Sequence, residues 1–459
     1  MEKINFNENL LKKIKAHDGL IHLVLIATKP DIIKQAPLIL ELKKRNEFVL
    51  VVHSGQHHDW NLSGGLEEEF NIYPDINLNI KGLLYEQQSQ IIDRLGFIIS
   101  EIKKIGKQVI PYIYGDTTTA VAGGIASFAN LIGTAHIEAG LRTMSPPKEF
   151  ILSLLGNFNV DNFFEDLKET SLWKKGSYEP YPEQFDTRAA APSAGVHFAP
   201  TRTNSENLLD EGYASERIFV VGNPVSDAIN LIEKQVEESK IFEKYPILAE
   251  GSVIRFCVHR RENITSYHRF MAIYESMAEL IHEGRTVLFI SLSATEKALE
   301  VYKLKEKTLK LAKKYKNFIF SQVWPHYADV IAVMKKCSAV VTDSGSIQEE
   351  TNILGLPGVI LRFNSDRPEA IFSGSNILAP PISKEVILKI VRHIVSDKDM
   401  NMDMRKAPKL YGEEVCGKII DVINRITKKE YFFNLFKLME HDRLGLSKMP
   451  FWRKGEAIW

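Results

Sequence analysis

Residues 21–27, IHLVLIA, form an unbroken apolar run. The next stretch, TKPDIIKQAPLILELKKR, repeats its apolar residues at helical spacing, and FVLVVHSG (48–55) is apolar again. This is a β-α-β pattern, and strands that are apolar on both faces belong to a parallel sheet covered by helices. The spacing predicts a helix over 89–105, a strand over 108–116 (QVIPYIYGD), a small-residue helix ending on glycine (TTTAVAGGIASFANLIG) and a strand at TAHIEAG. From 144 to 181 the alternation stops. That stretch is rich in Phe, Pro and Gly and predicts a semi-irregular excursion with one or two short helices. VHFAPT, a helical SENLLDEGY and RIFVVGNP resume the alternation.

The second half repeats the theme. Strands at IRFCVHRREN, TVLFISLS, FIFSQV, AVVTDSG and PGVILR alternate with helices near 268–283, 296–314, 327–336, 345–355 and 384–396. The pattern predicts an α/β protein of two Rossmann-like, doubly wound domains. The first spans 1–225 with 144–181 inserted in it, the second spans 226–402, and the change falls near Asn223–Leu231. The tail, 431–459, is aromatic and is expected to pack on the body or on a partner chain.

Bulk properties narrow the function. A chain of 459 residues is too long for one ordinary core, which supports two domains. Lys+Arg and Asp+Glu are both 58, so no global charge draws the chain to nucleic acid or an anionic membrane. The three cysteines, Cys257, Cys337 and Cys416, are far apart. They form no disulfide framework or zinc pattern and read as reduced, buried thiols. The N-terminal residues lack a signal-peptide pattern, and the longest apolar runs are too short to span a bilayer. A cytoplasmic protein is the expectation.

The motifs that carry chemistry sit where strands end. In VVTDSGSIQEE (340–350) a β-branched strand ends at Asp343 and a helix begins near Ser344. A helix N-terminus offers unpaired N–H groups to phosphate, and Ser344, Gly345 and Ser346 are small enough to let a pyrophosphate approach. Glu350, further along, is placed to accept from ribose hydroxyls. The alternative is an ordinary capped helix. HRREN (259–263) puts His259 and two arginines, including Arg261, at another strand end, either as a cationic rim for a diphosphate or as a surface ion-pair cluster with Glu262. Arg362 and Arg367 in RFNSDRPEA follow a strand in the same way. In the first half, Asp116 in YGDTTTA, Glu138 in HIEAGLRT and Glu183 in PEQFD are candidate proton-transfer groups, or else caps and salt-bridge partners. Lys29 and Lys34 in TKPDIIK are candidate phosphate contacts or solvated helix charges. The histidines of SGQHHD (54–59) have no third ligand at metal spacing, so no metal is assigned.

Taken together, ATKPDIIKQAP, SGQH, GDTTTA, HIEAGLRT, HFAPT, GNPVSD, HRREN, TDSGSIQEE and DRPEA resemble the motifs of the UDP-N-acetylglucosamine 2-epimerase family, in the family's order, from about 21 to 395. The resemblance implies a glycosyltransferase-B-like fold with two domains facing a cleft. It implies a C-terminal helix, here within 403–430, that returns to the first domain. UDP would bind mainly to the second domain, with phosphate at Ser344 and Gly345, ribose at Glu350, and His259 and Arg367 near the diphosphate and sugar. Asp116, Glu138 and Glu183 would be the acid/base carboxylates. The implied reaction eliminates UDP to a 2-acetamidoglucal and adds it back after C2 is reprotonated on the other face. In hydrolysing relatives water adds instead, and a glycosyltransferase on the same fold is a further alternative. The family requires no metal or redox cofactor and implies a homodimer.

This chain departs from the family pattern at named positions. Lys29 stands for an arginine, Ser346 for a glycine, Asp186 for an asparagine and Thr187 for an arginine, with Arg188 one step on. SLSATE (291–296) lacks a histidine found in many members, and the 144–181 excursion is longer than the family's.

Overall fold

A computed structural model describes residues 4, 6–55 and 64–428. The histidines at 57 and 58 and the tail 431–459 lie outside the described residues. The chain divides into two units: Met1–Leu141 with Pro182–Leu231 and Tyr411–Trp459, and Arg142–Tyr181 with Ile232–Leu410.

The first unit is built on seven parallel strands, Ile21–Ile26, Phe48–His53, Ile76–Asn77, Val109–Tyr114, Thr134–Ile137, Ala194–Ala199 and Ile218–Val220. Numbered along the chain, they lie in the order 3-2-1-4-5-6-7. All six residues of Ile21–Ile26 are buried, as expected of a central strand with helices on both faces. The following helix, Lys29–Lys44, starts at a capping box in which Thr28 and Asp31 satisfy each other's backbone groups, with Pro30 in its first turn. Leu23, Leu50 and Val52 pack with Ile98 and Ile102 of helix Leu84–Lys104 in one apolar cluster. Helix Val415–Ile426 belongs to this unit. Asp227 accepts from the N–H groups of Val415 and Cys416 and so caps the helix start.

The second unit has six parallel strands, Val253–Cys257, Val287–Ser291, Phe318–Gln322, Cys337–Thr342, Gly358–Ile360 and Asn376–Leu378, in the order 3-2-1-4-5-6. The expected helix near 296–314 is two helices, Ser293–Val301 and Lys305–Lys314. The break falls where Lys303 turns into the left-handed region, with φ 58°.

The excursion differs from expectation. Segment 144–181 was assigned to the first domain by chain order, yet residues 142–181 form part of the second unit. The reason is burial. Phe163, Phe164, Leu167 and Trp173 share one apolar cluster with Ile371, Ile377 and Leu378. Trp173 meets Phe372 edge to face at 5.1 Å. Met144 and Ser365 exchange backbone hydrogen bonds of 2.9 and 3.0 Å, and His393 Nε2 lies 2.8 Å from Asp161. The excursion holds two short helices, Lys148–Ser153 and Val160–Leu167, and a small antiparallel ladder that pairs Met144–Ser145 with Lys174–Lys175. Among the described residues no helix is long and apolar enough to cross a membrane.

Candidate functional site

Each sheet reverses strand order between its first and fourth strands, and open α/β sheets bind ligands at the carboxyl ends of strands flanking such a point. In the first unit those ends are Thr28–Lys29 and Gly115–Asp116. In the second they are His259–Arg260 and Asp343–Ser344. The topology therefore brings four of the sequence motifs to two switch points.

At the first switch point, Lys34 Nζ donates to Glu138 Oε1 at 2.9 Å, and both side chains are almost fully buried. Asn223 Nδ2 donates to the same oxygen at 3.2 Å. The Tyr114 hydroxyl donates to Asn223 Oδ1 at 3.3 Å, which orients the amide. Glu138 lies in the left-handed region at φ 61°, a conformation that costs a non-glycine residue about 1–2 kcal/mol. Such strain persists where surrounding contacts fix it, commonly at functional sites. Glu138 also explains the neighbouring Gly115, since a Cβ there would stand 2.9 Å from Glu138 Oε2. His136 holds this turn through Nε2, 2.8 Å from the Gly115 carbonyl oxygen.

Further carboxylates gather around Asp116. Asp31 accepts from the Thr28 N–H at 2.9 Å and the Thr28 hydroxyl at 3.0 Å. Burial raises Asp31 to about 6; the Thr28 hydrogen bonds oppose that rise, Asp116 adds to it and Lys34 reduces it. On helix Glu183–Ala190, Asp186 accepts from the Thr118 hydroxyl at 2.9 Å. Burial pushes Asp186 up to about 7 against that hydrogen bond, with Asp116 and Glu183 adding to the rise. Lys29 occupies the first position of helix Lys29–Lys44 and is half-buried.

At the second switch point the organising group is Asp343, which is fully buried. It accepts from the N–H of His259 at 3.0 and 3.2 Å, the N–H of Arg260 at 3.0 Å and Asn263 Nδ2 at 3.0 Å. The turn after the first strand is thereby fixed to the end of the fourth. The His259 ring is about a quarter exposed, with Nδ1 3.5 Å from Asp343 Oδ1. Ser344 occupies the N-cap position of helix Gly345–Leu354 without a side-chain capping hydrogen bond, and Gly345 and the half-buried Ser346 lie in the first turn. A Cβ on Gly345 would lie 2.7 Å from an Arg367 terminal nitrogen, so only glycine lets the guanidinium lie against the helix start.

Arg362 and Arg367 are both buried and share Asp366, and Arg367 Nε also donates to Glu349 at 3.2 Å. Burial opposes ionisation of Asp366, but Arg362, Arg367 and Arg260 together hold it below the usual carboxylate range. Glu350 accepts from the Tyr327 hydroxyl at 2.9 Å. Arg261 is exposed and stacks over Tyr181 at 5.3 Å, while Glu262 accepts from the Tyr181 N–H at 2.9 Å and pairs with no arginine among the described residues. The excursion also reaches this region through Glu179, which accepts from Asn364 Nδ2 at 2.9 Å.

The sequence-predicted residues thus fall into two groups by unit. Asp116, Glu138, Glu183, Lys29 and Lys34 belong to the first, and His259, Arg261, Ser344, Gly345, Ser346, Glu350, Arg362 and Arg367 to the second. Sequence reasoning missed Asp31, Asn223, Asn263 and Asp366, and named Asp343 only as a strand end. The Thr-x-x-Asp spacing of a capping box was a usable signal for Asp31. Asp366 lies between its partners Arg362 and Arg367 in RFNSDRPEA, a local spacing that could have found it, whereas Asn223 and Asn263 act through residues distant in sequence. Among the described residues no cluster of three metal-ligating side chains occurs.

Two doubly wound parallel sheets, each with polar turns at its switch point, define a protein of the nucleotide- or nucleotide-sugar-binding α/β class. A family model described as UDP-N-acetylglucosamine 2-epimerase matches residues 40–151 and 175–424, and the chain belongs to that family. Among curated relatives, the UDP-N-acetylglucosamine 2-epimerase of Methanocaldococcus jannaschii is 29% identical over 82% of this chain and 92% of its own. That of Bacillus subtilis is 29% identical over 90% and 95%. Among solved structures, the Methanocaldococcus jannaschii UDP-GlcNAc 2-epimerase in complex with UDP-GlcNAc and UDP superposes with a TM-score of 0.71 at 26% identity, covering 89% of this chain and all of that one. The Neisseria meningitidis UDP-GlcNAc 2-epimerase bound to UDP-GlcNAc gives 0.72 at 26% identity, covering 90% and 100%. The chain shares their α/β fold.

Proposed function

We infer that this protein is a UDP-N-acetylglucosamine 2-epimerase that interconverts UDP-N-acetylglucosamine and UDP-N-acetylmannosamine. The observation that carries the reading is the set of carboxylates at the first switch point, Asp116, Glu138 and Glu183, in a chain of this family. One carboxylate takes the C2 proton. The C–H electron pair becomes the C1=C2 bond, and the C1–O bond breaks with its pair going to UDP. The products of this half-reaction are 2-acetamidoglucal and UDP. Addition of UDP at C1, with a proton delivered to the other face of C2, completes the exchange. The C2 proton is weakly acidic, so stabilising the departing UDP is as necessary as the base.

In this reading UDP is held in the second unit by His259, Arg261 and the helix start at Ser344, Gly345 and Ser346. Glu350 holds the ribose, and Arg362 and Arg367 contact the UDP-sugar. Lys29 and Lys34 assist in the first unit, where Lys34 keeps Glu138 in its place. The reading further takes the protein to be a cytoplasmic homodimer. Exposed apolar side chains such as Ile125 and Phe128 support self-association, which light scattering tests.

The direct test is proton NMR of the purified protein with UDP-N-acetylglucosamine. UDP-N-acetylmannosamine as product supports the reading. Free N-acetylmannosamine with UDP makes the enzyme a hydrolysing one. Consumption only when a sugar acceptor is added makes it a glycosyltransferase and overturns the reading.

A further inference from the structure

Asp186 stands where the family pattern has asparagine, and its surroundings set it apart from the other carboxylates. The side chain is buried. Its helix, Glu183–Ala190, packs on helix Thr118–Ala129, which carries no charged residue and offers Asp186 only the Thr118 hydroxyl. Ile113, Ala120, Val121 and Ala190 form an apolar cluster at this contact. The 3-10 turn that follows, Ala191–Ser193, is also uncharged. On its own helix Glu183 lies one turn earlier, and Arg188 is engaged with Glu211 at 3.2 Å. Among the described residues, the charges acting on Asp186 are those of Asp116 and Glu183, both negative. A buried carboxylate beside two others holds its proton more firmly, since ionising all three places like charges together in a poorly solvated site.

We propose that Asp186 is a positioning residue that holds one proton within this carboxylate group, so that Asp116 and Glu183 do their acid/base work without a third negative charge beside them. This rests on the function proposed above. The proton exchanges with solvent, and no bond to substrate is involved. Below its midpoint, about 7, Asp186 is neutral. Above it, a third negative charge faces Asp116 and Glu183. That charge opposes the negative charge that builds on the substrate as the C2 proton is removed. In this chain, therefore, the residue at 186 adds an alkaline limit to activity that an asparagine would not impose.

The test compares wild type with Asp186→Asn and Thr118→Val. Asparagine copies the neutral acid and still accepts from the Thr118 hydroxyl. In wild type, kcat/KM should fall above about pH 7, by about tenfold for each further unit. Asp186→Asn should match wild type near pH 6 and exceed it about tenfold at pH 8. Removing the Thr118 hydroxyl removes a hydrogen bond that favours the ionised form, so Thr118→Val should move the wild-type limb to higher pH. A uniform loss of activity at every pH in both variants would mean a merely structural role and overturn the proposal. A second readout needs no turnover: carbon NMR of protein labelled at aspartate carboxyls. A resonance titrating near 7 that disappears in Asp186→Asn supports the proposal, and its absence from wild type overturns it. If that resonance is present but no UDP-sugar is turned over, the assigned reaction fails and the proton-holding role of Asp186 stands.

Discussion

Replacing Asp343 by asparagine tests how the second switch point is held. The carboxylate receives the backbone N–H groups of His259 and Arg260 and the Asn263 amide, each at about 3.0 Å, with no exposure to solvent. Asparagine has the same shape but one acceptor oxygen in place of two, and its NH2 group points at donors. At least one buried donor loses its partner, which costs roughly 1–3 kcal/mol. The bonds that remain are no longer charge-assisted and are about half as strong. The sum is about 2–4 kcal/mol. A domain of roughly 200 residues shifts its melting temperature by about 2–4 °C per kcal/mol, so calorimetry should show a drop of roughly 4–16 °C. Calorimetric titration should show UDP affinity weakened at least about tenfold, because the His259–Arg260 turn loses its anchor. A melting temperature within 1 °C of wild type and unchanged UDP affinity would refute the argument that Asp343 organises this turn.

Three further outcomes follow from the packing. Lys34→Met leaves Glu138 buried without its cation and should destabilise the fold by about 3–5 kcal/mol, read by denaturant unfolding; adding Glu138→Gln should recover most of that loss. Trp173→Ala should cost about 3–5 kcal/mol in the same assay, since the indole is buried in the second unit's core; a loss under 1 kcal/mol would mean the excursion is only draped on that unit. Asp31 has its midpoint raised from 3.8 to about 6 by burial, so the native state binds its proton more tightly than the unfolded chain, and this contribution to stability fades as pH rises from about 4 to 6. Asp31→Asn, which cannot ionise, should therefore gain in melting temperature relative to wild type across that window and hold the gain above it; a difference independent of pH would contradict the assignment.

Much of the fold was legible because its strands are short, continuously apolar and separated by helical spacing. Ile21–Ile26 and Cys337–Thr342 need no tertiary information to be read as buried strands. The ends of those strands were legible for the same reason, which located Asp116, His259 and Ser344 at turns. The excursion was placed with the wrong unit because chain order says nothing of where Phe163, Phe164 and Trp173 are buried. The ties among site residues were hidden too. Lys34 and Glu138 are 104 positions apart, and His259 and Asp343 are 84 apart. No window of sequence contains either pair. The strain at Glu138 was likewise invisible, because nothing in HIEAG requires a glutamate at positive φ.

In the proposed function a carboxylate of the first unit removes the proton on C2 of a UDP-linked N-acetylhexosamine. The most direct measurement is mass spectrometry of UDP-N-acetylglucosamine and UDP-N-acetylmannosamine after incubation with the protein in D2O. One deuterium, located at C2, is expected in the UDP-N-acetylmannosamine formed, with the signal lost in the Asp116→Asn, Glu138→Gln, Glu183→Gln triple variant while UDP still binds. Epimerised product that keeps its original C2 hydrogen, or undiminished exchange in the triple variant, would contradict it.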